Sequence, residues 1–161
     1  MTDLATRIQD PSTCGADFAL QNPQVRQAYA GFLAYQPLYH AGCLTDRSSG
    51  EYCFAQAVGN ATAASASYVY YLPLGVSLPG TAAPGCGACL RDTMAVFALY
   101  AGDQAQPLSA TYAPAAAQLD GSCGSRFVEA ARASVNAAAR SVVAGFGFWY
   151  TLVVMFFFAV V

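Results

Sequence analysis

The amino-acid sequence predicts an all-α fold, a disulfide-stapled helical bundle with one extended Tyr/Pro-rich connector and a C-terminal hydrophobic helix. Three observations predict it. Apolar residues recur at helical spacing in several segments. Six cysteines are spread along the 161 residues, which suits a disulfide framework. The chain ends in a long uncharged run. We therefore expect a cysteine-rich helical domain over residues 1–140, long enough to bury a core, and a membrane segment over 141–161.

The helices follow from apolar spacing and from capping residues. Asn22 and Pro23 form the favoured start of a helix, because asparagine accepts backbone N–H groups and proline fits the first turn. That helix is predicted over residues 23–35, and Pro37 leaves open whether it resumes to residue 42. Other helices are predicted at about residues 2–9, 50–66, 86–102, 108–119 and 126–140, with polar turns at 45–50 and 120–124.

The connector runs from Tyr68 to Pro79 and is the longest aromatic, β-leaning run of the sequence. Proline recurs in and after it, at Pro73, Pro79 and Pro84. Each proline lacks an N–H group and clashes with the preceding helical turn. The spacing therefore predicts an extended, buried connector between two helical halves.

Six cysteines and one sequon indicate an oxidising compartment. The cysteines suit three disulfides, but spacing does not choose among the pairings. Cys43 and Cys53 flank a short polar turn and could close a small loop. The alternative is a cytosolic protein with six buried thiols. Asn60, in Asn60-Ala-Thr62, is a predicted N-glycosylation site, which also points to secretion. The cysteines are Cys14, Cys43, Cys53, Cys86, Cys89 and Cys123.

The two ends of the chain bear on its location. Residues 142–161 carry no charge and have the length of a bilayer-spanning helix. They predict either a transmembrane helix or a glycolipid-anchor signal with Asn136 as the candidate attachment residue and Ser134 as its rival. Residues 1–10 have neither the apolar core nor the basic leader of a signal peptide. We therefore expect either a cytosolic chain or one whose N-terminus is missing.

Five segments together resemble a family of fungal cysteine-rich secreted proteins whose domain has no known function. The resemblance covers about residues 4–129 and implies a cell-surface protein with several disulfides. Family members carry a further cysteine-containing segment upstream. That departure implies that this chain corresponds to the C-terminal part of a longer precursor, and that one cysteine pairs outside it. The segments are Tyr39–Asp46, Tyr52–Ala55, Tyr70–Gly75, Cys86–Leu90 and Cys123–Val128.

No catalytic, cofactor or metal site is predicted. Cys86 and Cys89 have the spacing of a redox dithiol at a helix N-terminus, but the βαβ pattern that usually carries it is missing. Structural disulfides are the favoured interpretation. His40 and Cys43 would complete a zinc set with these two cysteines. The single histidine and the expected oxidising compartment weigh against zinc, and His40 is interpreted as a polar residue at a helix end.

Two further patterns are weighed for function. Most of the nine carboxylates lie in predicted turns or near helix starts, where capping explains them, although an acid–base pair for glycoside hydrolysis stays open. Tyr68, Tyr70 and Tyr71 are suited either to stacking on sugars or lipids or to a core. The carboxylates are Asp3, Asp10, Asp17, Asp46, Glu51, Asp92, Asp103, Asp120 and Glu129.

The net charge of −2 offers no basic field, so nucleic acid is not an expected partner. The leading hypothesis is a non-enzymatic cell-surface or cell-wall glycoprotein, attached to the membrane through residues 142–161 and facing the outside. One alternative is a surface binding module for an apolar or carbohydrate ligand. The other is a surface hydrolase with spatially paired carboxylates.

Overall fold

The computed structural model describes residues 1–60 and 64–128. Within them the fold is helical and contains no strand, which confirms the predicted class for this part of the chain; Thr45 and Tyr52 form an isolated antiparallel bridge. The predicted C-terminal hydrophobic helix and most of the helix at 126–140 lie outside the described residues. The α-helices are α1 Thr2–Arg7, α2 Gly15–Ala19, α3 Pro23–Gly42, α4 Cys53–Gly59, α5 Ala88–Tyr100 and α6 Leu108–Cys123, and a 3₁₀ helix spans Ala64–Leu74.

Helix α3 is the longest element and begins as its capping residues predict. The side chain of Asn22 accepts the N–H of Gln24 at 3.1 Å, and Pro23 occupies the first turn. The helix continues through Pro37 to Gly42 without interruption. Pro37 lacks one backbone donor, but its ring is fully buried, and packing of that ring offsets the lost hydrogen bond.

The prediction of an extended connector is wrong for the first half of that segment. Tyr68 to Leu74 belong to the 3₁₀ helix, which ends before Gly75 at a φ of 84°. Pro73 lies in the last turn of this helix, so the turns before it keep all their backbone donors. The chain between Gly75 and Gly87 then lacks regular helix, as the remaining prolines predict. The predicted burial holds for Val69, Tyr70 and Leu72. It is wrong for Tyr68, Tyr71 and Val76, which are exposed.

Two predicted helices also have other boundaries. Helix α4 starts at Cys53 rather than near residue 50, because the preceding loop closes on itself and the N–H of Cys53 bonds to the carbonyl of Leu44 at 2.9 Å. It ends at Gly59 rather than near residue 66. Helix α6 runs on to Cys123 through the predicted turn at 120–124. Leu119 is buried there and Asp120 accepts the N–H of Val128 at 2.9 Å, so tertiary contacts override the turn-forming sequence.

Most of the buried apolar residues that the structure describes form one cluster, to which α3, the 3₁₀ helix, α5 and α6 contribute. Phe97 and Met94 of α5 belong to it and are fully buried. Burying such a side chain stabilises the fold by about 1.5–3 kcal/mol. Within the described residues, no helix is both long enough and apolar enough to cross a membrane. The largest members of the cluster are Tyr70, Leu72, Leu78, Leu90, Met94, Phe97, Leu108, Tyr112 and Leu119.

At the N-terminal end, α2 folds back onto the loop that follows α1. A side chain at Gly15 would place its Cβ 2.6 Å from the carbonyl oxygen of Gln9, so only glycine allows this approach. Asp10 holds the loop by accepting the N–H of Ser12 at 2.8 Å and its hydroxyl at 2.6 Å. These hydrogen bonds lower the pKa of Asp10.

Candidate functional site

Two disulfides meet at the start of α5. Cys89, in the first turn, bonds to Cys53 at the start of α4, with 5.3 Å between the Cα atoms. Cys86, just before α5, bonds to Cys123 at the end of α6, with 5.4 Å between the Cα atoms. We call these four cysteines the disulfide junction. Their arrangement ties three helices together at one end of the described fold.

The disulfide junction contradicts two predictions about how the cysteines pair. The prediction that a Cys43–Cys53 disulfide closes a small loop is wrong. Cys53 is buried and bonds to Cys89, whereas Cys43 is exposed and unbonded. Cys14 is also unbonded, so the described residues hold two disulfides rather than three. Cys86 and Cys89 bond to different helices, so they do not form a redox dithiol with each other.

The structure also does not bring the four candidate zinc ligands together as a metal site. Cys86 and Cys89 are both in disulfides, which removes the thiolates that a metal requires. Among the described residues, no group of three or more potential metal ligands comes together. His40 lies in the last turn of α3, at the helix end where the sequence places it.

A tight loop brings one carboxylate to the junction. Asp46 Oδ1 accepts the hydroxyl of Ser48 at 2.6 Å, the N–H of Ser48 at 2.7 Å and the N–H of Ser49 at 3.3 Å. Hydrogen bonds from Ser48 and Ser49 lower the pKa of the Asp46 carboxyl. The other oxygen, Oδ2, lies 3.8 Å from Sγ of Cys89. The loop therefore holds a negative charge beside the disulfide.

A pocket of about 270 Å³, here called the junction pocket, opens beside the disulfides. Asp46, Gln56 and Asn60 line it, together with residues of the first turn of α5. Tyr70 and Thr93 lie in its wall, with their hydroxyl oxygens 3.2 Å apart in a buried hydrogen bond. Burial raises the pKa of Tyr70. One carboxylate, two primary amides and one aromatic ring suit a small polar ligand.

The three tyrosines of the predicted cluster take different positions. Tyr70 is in the core, where its ring makes edge contacts with Phe54 at 4.9 Å and Phe97 at 6.3 Å. Tyr68 and Tyr71 are 41% and 51% exposed, and neither lines the junction pocket. The cluster therefore forms no common stacking platform at this pocket.

A second, more open concavity runs along α4 and is here called the α4 groove. Its volume is about 580 Å³, with Tyr52 and Glu51 at one end and Gly59 and Asn60 at the other. Gln56 lies between them. Asn60 follows the last residue of α4 and is exposed. The sequon asparagine thus lies at the edge of both concavities.

An aromatic surface that was not predicted from the sequence lies at the end of α3. The rings of Tyr35 and Tyr39 stack with centroids 6.0 Å apart, and both residues are exposed. His40 lies 5.6 Å from Tyr39 and 6.4 Å from Tyr100 of α5. The spacing of four between Tyr35 and Tyr39 was a usable signal, because residues so placed share one helix face.

The helices and the junction define a small helical domain held by disulfides. The chain belongs to the family described as Domain of unknown function (DUF7729), whose family model matches residues 1–132. This confirms the expectation of a domain without a known function. No curated protein and no solved structure matches the chain.

Proposed function

We propose that this protein is a non-enzymatic, secreted glycoprotein of a fungal cell surface, attached to the membrane at its C-terminus, with a structural or interaction role. The observation that carries the proposal is the disulfide junction. Disulfides such as Cys53–Cys89 and Cys86–Cys123 persist in oxidising compartments and are rare in the cytosol. A helical domain fixed in this way suits the exterior of a cell.

Two features of the sequence support the same location. Asn60 lies in a sequon and is exposed, as a glycosylation acceptor must be. Residues 142–161 are uncharged over the length of a bilayer. Asn136 is the proposed attachment residue for a glycolipid anchor, with Ser134 as its rival.

Phospholipase C treatment of intact cells that express the full-length precursor tests the attachment. A glycolipid anchor predicts release of the protein into the medium, whereas a spanning helix predicts retention on the cell. Replacement of Asn136 by Gln should reduce surface display if Asn136 is the attachment residue, and Ser134→Gln is the matched control. Absence of the protein from the cell surface contradicts the proposal.

A binding module is a second candidate, favoured by the junction pocket. Gln56, Asp46 and the ring of Tyr70 offer the hydrogen-bonding groups and apolar surface that a sugar needs. NMR titration of the domain with short chitin and β-glucan oligosaccharides tests it. Binding should shift the resonances of Gln56 and be weakened by Gln56→Leu but not by Gln36→Leu, a matched change at an exposed position. Unchanged spectra at millimolar sugar would contradict this candidate.

The hydrolase alternative draws no support from these concavities. A glycosidase needs two carboxyl groups facing each other across the bond that is cleaved. Among the described residues, Asp46 is the single carboxylate lining the junction pocket, and Glu51 is the single one lining the α4 groove. Glu129 lies outside the described residues.

A further inference from the structure

The α4 groove brings a sequon asparagine and an exposed aromatic ring together. Asn60 lies at its C-terminal end and the aromatic ring of Tyr52 at its N-terminal end, 58% exposed. The seven residues of α4 between them span about 10 Å. An exposed aromatic ring, a carboxylate and an amide thus lie along one line that starts at a glycosylation sequon.

We propose that the N-glycan on Asn60 folds back along α4, so that its first two N-acetylglucosamine units occupy the α4 groove and stack on Tyr52. The inference rests on the proposed glycosylation of Asn60 and assigns a docking surface to that glycan. The occupant is fixed by covalent attachment, because a sugar bonded to the side chain of Asn60 begins at the edge of the groove.

The chemistry of the groove matches that occupant. One face of a pyranose ring carries only C–H groups, and an exposed tyrosine ring offers a flat apolar surface to it. The hydroxyl and N-acetyl groups of the sugar meet Glu51 and Gln56, which line the same groove. Gln56 is already positioned, because its Nε2 donates to Oγ of Ser49 at 2.9 Å. Less side-chain entropy is therefore lost when the sugar docks.

A glycan docked in the α4 groove would stabilise helix α4. It has only seven residues and no side-chain hydrogen bond at its N-cap, Tyr52. Helices of this length depend on packing rather than on their own propensity. A docked glycan would hold both ends of α4 and so protect Cys53, its first residue, against local opening. The glycan therefore adds to the stability that the junction provides.

A double-mutant cycle on the protein secreted from an N-glycosylating host tests the inference. Glycan occupancy is first measured by mass spectrometry before and after enzymatic deglycosylation. Thermal unfolding is then compared with and without the sequon, using Thr62→Ala, in three backgrounds: wild type, Tyr52→Ala and Tyr35→Ala. Tyr35 is the matched control, since it is also an exposed tyrosine but lies on α3. The cycle separates loss of glycan stacking from any direct effect of removing Tyr52.

The glycan should raise the unfolding temperature by about 3 °C in wild type and Tyr35→Ala, and by less than a third of that in Tyr52→Ala. Nuclear Overhauser contacts between N-acetylglucosamine protons and the Tyr52 ring should accompany it. A glycan that is present but gives the same increment in all three backgrounds overturns the docking and leaves the proposed function intact. An unoccupied Asn60 contradicts both the docking and the glycoprotein part of that function.

Discussion

At the scale of single residues, Tyr70 links the 3₁₀ helix to α5. Its hydroxyl and that of Thr93 are hydrogen-bonded in the core. We expect Tyr70→Phe to lower the free energy of unfolding by about 1–2 kcal/mol, because the hydroxyl of Thr93 then loses its partner in a buried site. Urea denaturation measures the change. Tyr71→Phe, at a position 51% exposed, is the control and should change little. Equal losses in the two variants would contradict this role.

Tyr70 also makes the stability of the fold depend on pH. Burial raises the pKa of Tyr70 in the folded protein above its value of about 10 in the unfolded chain. A group whose folded pKa is raised contributes stability that is complete below the unfolded pKa and is lost as pH rises through the folded pKa. We expect unfolding of wild type to become easier above about pH 10, and Tyr70→Phe to lose this part of the dependence. Denaturation midpoints from pH 8 to 11 measure it, and parallel curves for both proteins would contradict it.

Among individual residues, helix-capping roles were easier to predict from the sequence than tertiary contacts. The role of Asn22 was predictable because capping depends on neighbours in the chain. The separation of Tyr70 from Tyr68 and Tyr71 was not, since the face that a residue presents depends on whether its segment is extended or helical. Burial of the Tyr70 ring and exposure of Tyr68 and Tyr71 follow from the 3₁₀ helix, which forms despite Pro73.

At the scale of elements, the 3₁₀ helix is the main difference between expectation and structure. The density of prolines suggested an extended chain, but a proline disturbs only the turn that precedes it. Ala64 to Leu72 therefore remain free to form a helix against α3, α4 and α6. Packing also keeps the end of this helix in place: Oγ1 of Thr111 in α6 donates to the carbonyl oxygen of Leu72 at 2.8 Å. Such long-range contacts are not readable from local sequence.

Gly75 ends the 3₁₀ helix, and its φ of 84° gives a prediction at this scale. We expect Gly75→Ala to lower the free energy of unfolding by about 1–2 kcal/mol, because a side chain in the left-handed region is strained. Gly80→Ala is the matched control, since a Cβ there meets no atom within 4 Å. Thermal unfolding measured by circular dichroism compares them. Equal stabilities of the two variants would show that this turn does not require glycine.

At the scale of the whole molecule, the disulfide junction joins α4, α5 and α6 around one core. That the cysteines form disulfides was predictable from their number, but the pairing was not, because it depends on how the helices pack. The proximity of Cys43 and Cys53 in sequence favoured a local loop. Their side chains diverge in the fold, and Cys53 meets Cys89 instead. The junction pocket and the α4 groove likewise arise from packing and have no sequence signature.

Removal of either disulfide tests this connection. The closed loops have sequence separations of 36 and 37 residues, so each bond should contribute about 3–4 kcal/mol by restricting the unfolded chain. The double variant Cys53→Ala/Cys89→Ala should lose more than Cys86→Ala/Cys123→Ala, because Cys53 is also buried and its loss leaves a cavity. Denaturant unfolding measures both. Cys43→Ala, the exposed control, should match wild type, and a large loss there would contradict the assignment.

Thiol alkylation followed by peptide mapping, on protein isolated from its natural source without reductant, tests the central claim most directly. That claim is an oxidised domain stapled by the disulfide junction, the state expected outside the cytosol. The account predicts that Cys53 is linked to Cys89 and Cys86 to Cys123, so that none of these four accepts the alkylating reagent before reduction. Alkylation of all six cysteines in the native protein would contradict it.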